Sequence, residues 1–294
     1  MKRFLSHVYT MILIIFVLSG LVSCSGDEYV FVPQSSPNLV IVTDNDPGSF
    51  IMVKILGEVR SNFPDIQITY LQSKKFDIYE GAFLLNTVME SFPAGTVIAG
   101  VLEPGANSRR IVYQCGSKSV FASDNTLSTW ILNDYPDTKC YFVENVSVLG
   151  GYQPEELSFE DFYAEAICSL ISGTAVSGFG PACTIPNSFP VQKAALKGDT
   201  ILGQVLFTDN FGNCITNIPD NLMSEIPVGS VFTLTSDTIQ LSVEKGMTYA
   251  SVPTGENVCF INSSDFLELA INYGNFSEKY GISAGARIKL FESQ

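Results

Sequence analysis

The chain has 294 residues, of which 46% are hydrophobic and 16% are charged. This is the composition of a globular protein with one large or two smaller domains, and it excludes a disordered or collagen-like chain. The formal net charge of −14 argues against a nucleic-acid partner, because contact with phosphate backbones needs clustered Lys and Arg, and the sequence has no such cluster.

The first 37 residues have the pattern of an export segment rather than of a folded domain. After a short basic start, the apolar run at residues 11–18 is too short to span a bilayer. Residues 21–24 read LVSC, which resembles a bacterial lipobox. We therefore predict a signal peptide over residues 1–23, a lipidated Cys24 and a tether over residues 24–37. The predicted location is the periplasmic or cell-surface face of a membrane, and a plain secretory signal is the alternative.

Export would leave a chain without histidine, because the single histidine, His7, lies in the predicted signal peptide. This excludes Ser-His-Asp and Cys-His catalysis and histidine-ligated metal sites. Acid–base chemistry would have to use carboxylates, Tyr, Lys, Cys or bound water. Six cysteines remain after Cys24, without a C-x-x-C spacing, so we expect no metal site. We interpret them as buried small hydrophobic residues, with a disulfide framework as the alternative.

Strand and helix patterns alternate in the first half of the chain. Apolar runs predict strands at residues 38–43, 65–70 and 95–102. Amphipathic patterns predict helices at residues 49–61, 77–92 and 159–171. This alternation predicts an α/β domain with a largely parallel central sheet, whose ligands bind beyond the carboxyl ends of the strands. Asp44 and Glu103 follow two such ends.

The second half of the chain predicts a smaller all-β unit. Residues 174–200 are rich in Gly, Pro, Ser and Thr and mark a boundary. Short β-rich runs follow at residues 201–207, 231–235, 238–243, 257–261 and 287–291. We predict an N-terminal α/β domain over residues 38–195 and a C-terminal β-barrel domain over residues 200–294, with one helix near residues 266–273.

Five segments, in order, resemble one enzyme family. Residues 207–218, FTDNFGNCITNI, resemble the D-x-F-G-N-x-x-T-N-I segment of the S-adenosyl-L-methionine (SAM) hydroxide adenosyltransferases, a family that includes the SAM-dependent fluorinase and chlorinase. The other segments are residues 92–97 (FPAGTV), 103–110 (EPGANSRR), 123–128 (SDNTLS) and 262–270 (NSSDFLELA). The resemblance covers residues 38–292. It implies an α/β domain followed by a barrel, SAM or an adenosine-like compound as the small-molecule ligand, no cofactor, and a homotrimer whose sites lie between neighbouring subunits.

The resemblance implies substrate-binding residues in the first domain. Asp44 would bind the ribose hydroxyls, since a carboxylate can accept hydrogen bonds from both. Ser49 would touch the methionine end. Asp124 and Asn125 would also lie in the site, with a plain β-turn as the alternative for this pair.

The second domain would supply the rest of the binding site. By resemblance, Asp209 would pair with the methionine ammonium group, and Asn213 would read the adenine edge beside Phe211. Ser263 and Ser264 would bind the methionine carboxylate. For Phe211 and Asn213, a turn and core pair is the alternative.

The catalytic set of the family is incomplete in this chain. Glu103 stands where the water-using members have Asp, and Arg110 is retained; by resemblance these two would handle the water. Ser158 replaces a family histidine, and Tyr70 replaces a second one. Asn107 replaces a glycine of the D-P-G-V-G segment.

Three functions remain open from the sequence. The first is hydrolysis of SAM, or of a related adenosine compound, to adenosine and methionine by attack of water at the ribose 5′-carbon. The second is a catalytically degenerate lipoprotein that binds adenosine or another nucleoside. The third is a SAM-dependent halogenase, since halogenating relatives also lack the histidine. An exported chain would meet little SAM, because SAM is made in the cytosol.

Overall fold

The computed structural model describes residues 38–102, 109–184 and 186–292. The predicted signal peptide, Cys24, the tether and Glu103 therefore lie outside the described residues. Within these ranges, no helix combines the length and the apolar character that crossing a bilayer requires. The domain boundaries given above stay predictions.

A six-stranded sheet forms the centre of the N-terminal region. Its strands are β1 (Asn38–Thr43), β2 (Gln67–Gln72), β3 (Val97–Val101), β4 (Arg110–Cys115), β5 (Lys118–Ser123) and β6 (Lys139–Phe142). They lie in the order β2-β1-β3-β5-β4-β6, in which the first four are parallel and β4 is antiparallel to both of its neighbours. The carboxyl ends of β1, β3 and β5 thus share one edge with the start of β4.

Helices cover both faces of this sheet. The helices are α1 (Phe50–Asn62), α2 (Ile78–Ser91), α3 (Thr129–Asp134), α4 (Phe159–Ile171) and, in the C-terminal region, α5 (Phe276–Tyr280). Leu39 and Ile41 of β1 pack with α1 and α4, whereas Val40 and Val42 pack with α2 and α3. All four side chains are fully buried. Burial on both faces explains why β1 is a continuous apolar run without alternation.

The C-terminal region is a closed barrel, which confirms the predicted fold class. Its strands are β7 (Ala195–Lys197), β8 (Thr200–Thr208), β9 (Cys214–Pro219), β10 (Val231–Ser236), β11 (Ile239–Lys245), β12 (Asn257–Ile261), β13 (Phe266–Ile271) and β14 (Arg287–Glu292). They follow the order β14-β10-β11-β12-β13-β9-β8, and β14 pairs again with β8. Seven strands therefore close the ring, and β7 pairs with the first residues of β8, Thr200 to Leu202.

The helix predicted near residues 266–273 is wrong, because this segment is strand β13. Leu267, Leu269 and Ile271 enter the core of the barrel, with the two-residue period of a strand. Glu268 and Ala270, on the other face, are buried as well. Burial on both faces hides the alternation that identifies a strand. The short helix α5 begins only at Phe276.

The two regions contact each other along helix α2. The rings of Phe83 on α2 and Phe207 on β8 stack with centroids 5.1 Å apart. Lys74, between β2 and α2, donates from Nζ to the backbone carbonyl of Thr208 at 3.4 Å. The end of β8, where the 209–213 loop begins, is therefore joined to the segment that follows β2.

Candidate functional site

Asp44 lies at the carboxyl end of β1 with a buried side chain. Its Oδ2 accepts a hydrogen bond from the backbone N–H of Phe76 at 3.2 Å, and its Oδ1 accepts one from the Asn45 side-chain amide at 3.2 Å. Phe76 has a φ of 62°, an uncommon conformation for a bulky residue. These contacts fix the carboxylate and leave about two of its four acceptor positions, the number that a ribose diol needs.

Tyr70, which stands in place of a family histidine, fixes the loop after Asp44. Its hydroxyl donates to the backbone carbonyl of Asn45 at 2.7 Å. Burial, with further contributions from nearby Asp46 and Asp44, raises the pKa of Tyr70 to about 12. The phenol therefore stays protonated at neutral pH, so it serves as a hydrogen-bond donor and cannot replace histidine as a general base.

Ser49 caps helix α1. Its Oγ accepts a hydrogen bond from the backbone N–H of Met52 at 3.3 Å, which satisfies one of the free donors of the first turn. The residue is half-buried and lies five positions after Asp44 on the same loop. The predicted contact with the methionine end of a substrate would have to coexist with this capping bond.

Arg110 begins β4, opposite the last residue of β5. Its guanidinium carbon lies 5.2 Å from the ring centroid of Phe162 and 5.7 Å from that of Phe159, both on α4. A cavity of about 370 Å³ opens beside it, lined by Arg109, Phe142, Gln153, Glu155 and others. Two strands separate β4 from β1, so Arg110 and Asp44 are spaced about 14 Å apart along the sheet edge. A ligand that touches both must lie along that edge.

Asp124 connects three segments at the same edge. Its Oδ2 accepts from Arg109 Nη2 at 3.0 Å, and its Oδ1 accepts from the backbone N–H of Asn187 at 2.6 Å. The Asn187 amide returns a 2.9 Å hydrogen bond to the Asp124 carbonyl. Asn125 accepts from the backbone N–H of Leu127 at 3.3 Å, as in a turn. Asp124 thus holds Arg109 and the chain leading to the barrel in place, a role that the sequence does not reveal.

Ser158 caps helix α4. The next residue is Phe159, whose ring lies beneath the Arg110 guanidinium. Its Oγ accepts from the Asp161 N–H at 3.2 Å and donates to Asp161 Oδ2 at 2.8 Å. Asp161 in turn lies 3.4 Å from Lys54 Nζ. The position of the missing histidine thus lies one residue before a ring that the Arg110 guanidinium approaches. Serine serves there as a helix cap and supplies no base.

Asp209 organises the loop between β8 and β9. Its Oδ1 accepts from the backbone N–H groups of Phe211 and Asn213, both at 2.8 Å, and its Oδ2 accepts from Asn213 Nδ2 at 2.9 Å. Asn213 is buried, whereas the Phe211 ring is 77% exposed. An apolar ring held outward beside a fixed amide is suited to stacking on a flat heterocycle.

A buried carboxylate, Glu268, extends this network along the outer face of the barrel. Its Oε1 accepts from the Tyr249 hydroxyl at 2.6 Å, and its Oε2 accepts from Asn262 Nδ2 at 3.3 Å. The Asn213 amide lies 3.4 Å from the same hydroxyl. Burial and the bond to Glu268 raise the pKa of Tyr249, so the hydroxyl remains a donor at neutral pH. Neither Tyr249 nor Glu268 is among the predicted site residues; the one sequence signal that could have found Glu268 is its place within the 262–270 motif.

Ser263 and Ser264 lie exposed in the turn between β12 and β13. The backbone N–H of Ser264 donates to Asn262 Oδ1 at 2.9 Å. The register pairs Phe266 with Pro219 and Leu269 with Cys214, so this turn and the 209–213 loop lie at opposite ends of the β9–β13 pair. The two groups of predicted binding residues are the 209–213 loop and the turn that contains Ser263 and Ser264. They are connected through the hydrogen bonds of Glu268 rather than by a direct contact.

Replacement of Tyr249 by phenylalanine tests this network. The buried Glu268 Oε1 would lose its shortest hydrogen bond, so we expect the free energy of unfolding to fall by about 1–3 kcal/mol. Urea denaturation would measure this fall in the free energy of unfolding. Tyr273→Phe is the matched control, because that side chain is 91% exposed. Equal stability of the two variants would show that the network contributes nothing.

The part of the chain that the structure describes contains no group of three or more His, Cys, Asp or Glu side chains that could hold a metal ion. The polar groups described above are carboxylates, amides, hydroxyls, the guanidinium groups of Arg109 and Arg110, and the Lys54 ammonium group. They can bind and orient an adenosine-containing ligand through hydrogen bonds and charge.

Two family models match most of the chain. The model of the SAM hydroxide adenosyltransferase N-terminal domain matches residues 39–180, and that of the C-terminal domain matches residues 203–289. The chain is 28% identical over 224 residues to a (R)-S-adenosyl-L-methionine hydrolase of Thermus thermophilus, covering 73% of this chain and 83% of the relative. It is 24% identical over 259 residues to a fluorinase of an Actinoplanes species, covering 73% and 83%.

A solved structure shows the same fold. An uncharacterized conserved protein from Thermotoga maritima superposes with a TM-score of 0.77 at 21% identity. The match covers 86% of this chain and 99% of that one.

Proposed function

Because the chain belongs to the SAM hydroxide adenosyltransferase family, we propose that it hydrolyses SAM, or a closely related adenosine compound, to adenosine and methionine. Water attacks the ribose 5′-carbon, the bond from that carbon to the sulfonium sulfur breaks, and methionine leaves as a neutral thioether. The water proton is released. The displacement uses SAM as substrate and calls for no cofactor, since the sulfonium is already a good leaving group.

The observation that carries the proposal is the preformed Asp44 carboxylate. It is buried at the carboxyl end of β1, held by two hydrogen bonds, and retains acceptor capacity for the ribose diol. Holding the ribose in this way aligns its 5′-carbon with a nucleophile at the sheet edge, which is the main requirement of an in-line displacement. Arg110 lies farther along the same edge, where its charge can orient the attacking water.

We propose that the site is completed in a homotrimer, between the sheet edge of one subunit and the barrel of the next. Exposed aromatic rings support this arrangement on both surfaces. Phe50 and Phe76 are 71% and 83% exposed near the sheet edge, and Phe211 is 77% exposed at the barrel loop. Such rings gain stability when a ligand or a neighbouring subunit covers them. Sedimentation of the purified chain would test the trimer.

The proposal on location rests on residues 1–24, which resemble a lipoprotein signal peptide. We propose export and anchoring through a lipid on Cys24, which would place the site outside the cytosol. An extracytoplasmic site favours a released adenosine compound as substrate over the cytosolic SAM pool. Labelling with a radioactive fatty acid, in the native chain and in Cys24→Ser, tests the anchor.

Incubation of the purified full chain with SAM tests the reaction. Chromatography would follow adenosine and methionine, and a thermal-shift titration would follow binding. Release of both products above the buffer blank supports hydrolysis. A thermal shift without release supports the binding-protein alternative, which the capping role of Ser158 and the high pKa of Tyr70 favour. Turnover that depends on added halide supports a halogenase, and a nucleoside screen follows if SAM gives neither release nor shift.

Replacement of Ser158 by histidine tests the missing base. An imidazole beside Arg110 is expected to increase adenosine release, because it can take the proton of the attacking water. Loss of the cap should lower the free energy of unfolding by about 1 kcal/mol. Ser158→Ala is the matched control, with the same loss of stability and no gain in release. If both variants release adenosine at the same rate, the missing histidine is not what limits turnover.

A further inference from the structure

Cys140 and Cys183 face each other across a pair of extended segments. The backbone N–H of Cys183 donates to the Cys140 carbonyl at 2.8 Å, and the N–H of Phe142 donates to the Pro181 carbonyl at 2.9 Å. These bonds make an antiparallel bridge centred on Tyr141 and Ala182. Cys140 and Cys183 are therefore directly opposed, and their side chains point to the same face.

This placement satisfies the geometry of a disulfide. Directly opposed residues of an antiparallel pair have Cα atoms about 4.5–5.5 Å apart, within the range of about 4.4–6.8 Å that a disulfide spans. The Cys140 thiol already reaches the Cys183 backbone, with Sγ 2.6 Å from the carbonyl oxygen. Cys115 is the nearest competitor, but it is diagonal to Cys140 in the β4–β6 register, at about 7–8 Å.

We propose that Cys140 and Cys183 form a disulfide in the mature protein. An oxidised dithiol or glutathione disulfide supplies the oxidising equivalents: one cysteine thiolate attacks it, the second attacks the resulting mixed disulfide, and two reduced thiols and the Cys140–Cys183 bond result. A surface depression of about 440 Å³, lined by both cysteines together with Thr138, Lys139 and Pro186, gives the oxidant access.

The bond would fix the chain that leads from the sheet to the barrel. The two cysteines are 43 positions apart, and only a few residues separate Cys183 from Asn187. Asn187 donates to Asp124, which in turn holds Arg109. A disulfide would therefore anchor the segment on which the position of Arg109, next to Arg110, depends. The inference does not rest on the proposed hydrolysis.

Peptide mapping tests the proposal on the full chain. The reduced protein is placed in glutathione disulfide, free thiols are alkylated, and digested peptides are analysed by mass spectrometry. Burial and the neighbouring Cys183 raise the pKa of the Cys140 thiol above its ordinary value, so the reaction is run at mildly alkaline pH. A second sample is refolded in the same oxidant, so that slow access to buried thiols cannot hide the bond.

We expect a cross-linked peptide that joins Cys140 to Cys183, and a melting temperature that falls by roughly 5–15 °C on reduction. Cys183→Ser should give neither the cross-linked peptide nor the fall in melting temperature. Cys168→Ser is the matched control and should keep both, because Cys168 lies half-buried on α4, outside this pair. Full alkylation of Cys140 and Cys183 in both samples, or a cross-link from Cys140 to Cys115, would overturn the proposal.

Discussion

Replacement of Arg110 by alanine is expected to lower the rate of adenosine release roughly 100- to 1,000-fold, the cost of removing one preorganised charged group from an active site. The guanidinium lies against the rings of Phe159 and Phe162, at the edge where β4 begins. In this partly apolar setting its charge is less screened than in water, so its effect on an attacking water is large. Single-turnover kinetics with SAM would measure the loss.

One measurement and two further variants separate this effect from a loss of folding. The contacts of Arg110 with the rings are worth about 1 kcal/mol, so Arg110→Ala should melt within a few degrees of the native chain. Arg60→Ala removes an exposed arginine at the far end of α1 and should leave the rate unchanged. Arg110→Lys keeps the charge without the planar group that stacks on the rings, so we expect a partial loss. If Arg110→Ala released adenosine at the native rate, Arg110 would have no role in the mechanism.

Replacement of Asp209 by alanine is expected to weaken ligand binding roughly 10- to 100-fold, because a charged partner of the ligand amino group is lost. The structure adds a second cause. Asp209 also accepts three hydrogen bonds from its own loop, and alanine would release Phe211 and Asn213 from their positions. Calorimetric titration with S-adenosyl-L-homocysteine, which lacks the reactive sulfonium, would measure the affinity without turnover.

Asp209→Asn distinguishes the two causes. Asparagine keeps one oxygen for the backbone N–H groups of the loop, and the Asn213 amide can rotate to accept from the new amide group. The loop should therefore stay in place while the charge is lost. We expect the asparagine variant to bind more weakly than the native chain but less weakly than the alanine variant, and to melt near the native temperature. Native affinity in Asp209→Asn would show that the charge does not recognise the ligand.

Most of the regular structure could be predicted from the sequence, because its elements carry strong local signals. The apolar run that forms β1, and the helices capped by Ser49, Asp77 and Ser158, have patterns and boundaries close to those predicted. Strand β13 could not be predicted, because the core of the barrel covers its inner face and the segment around Tyr249 covers its outer face. Its pattern then lacks the alternation on which the prediction depends.

The family and its motifs were determined by the sequence alone, because short ordered segments such as residues 207–218 preserve residue types and spacing. Side-chain roles were decided only by tertiary structure. Asp124 joins Asn187, far along the chain, and the network of Glu268 depends on strands that pair across the barrel. Hydrogen-bond partners so distant in sequence meet only when the sheet and the barrel have closed. No local pattern of residues encodes those contacts.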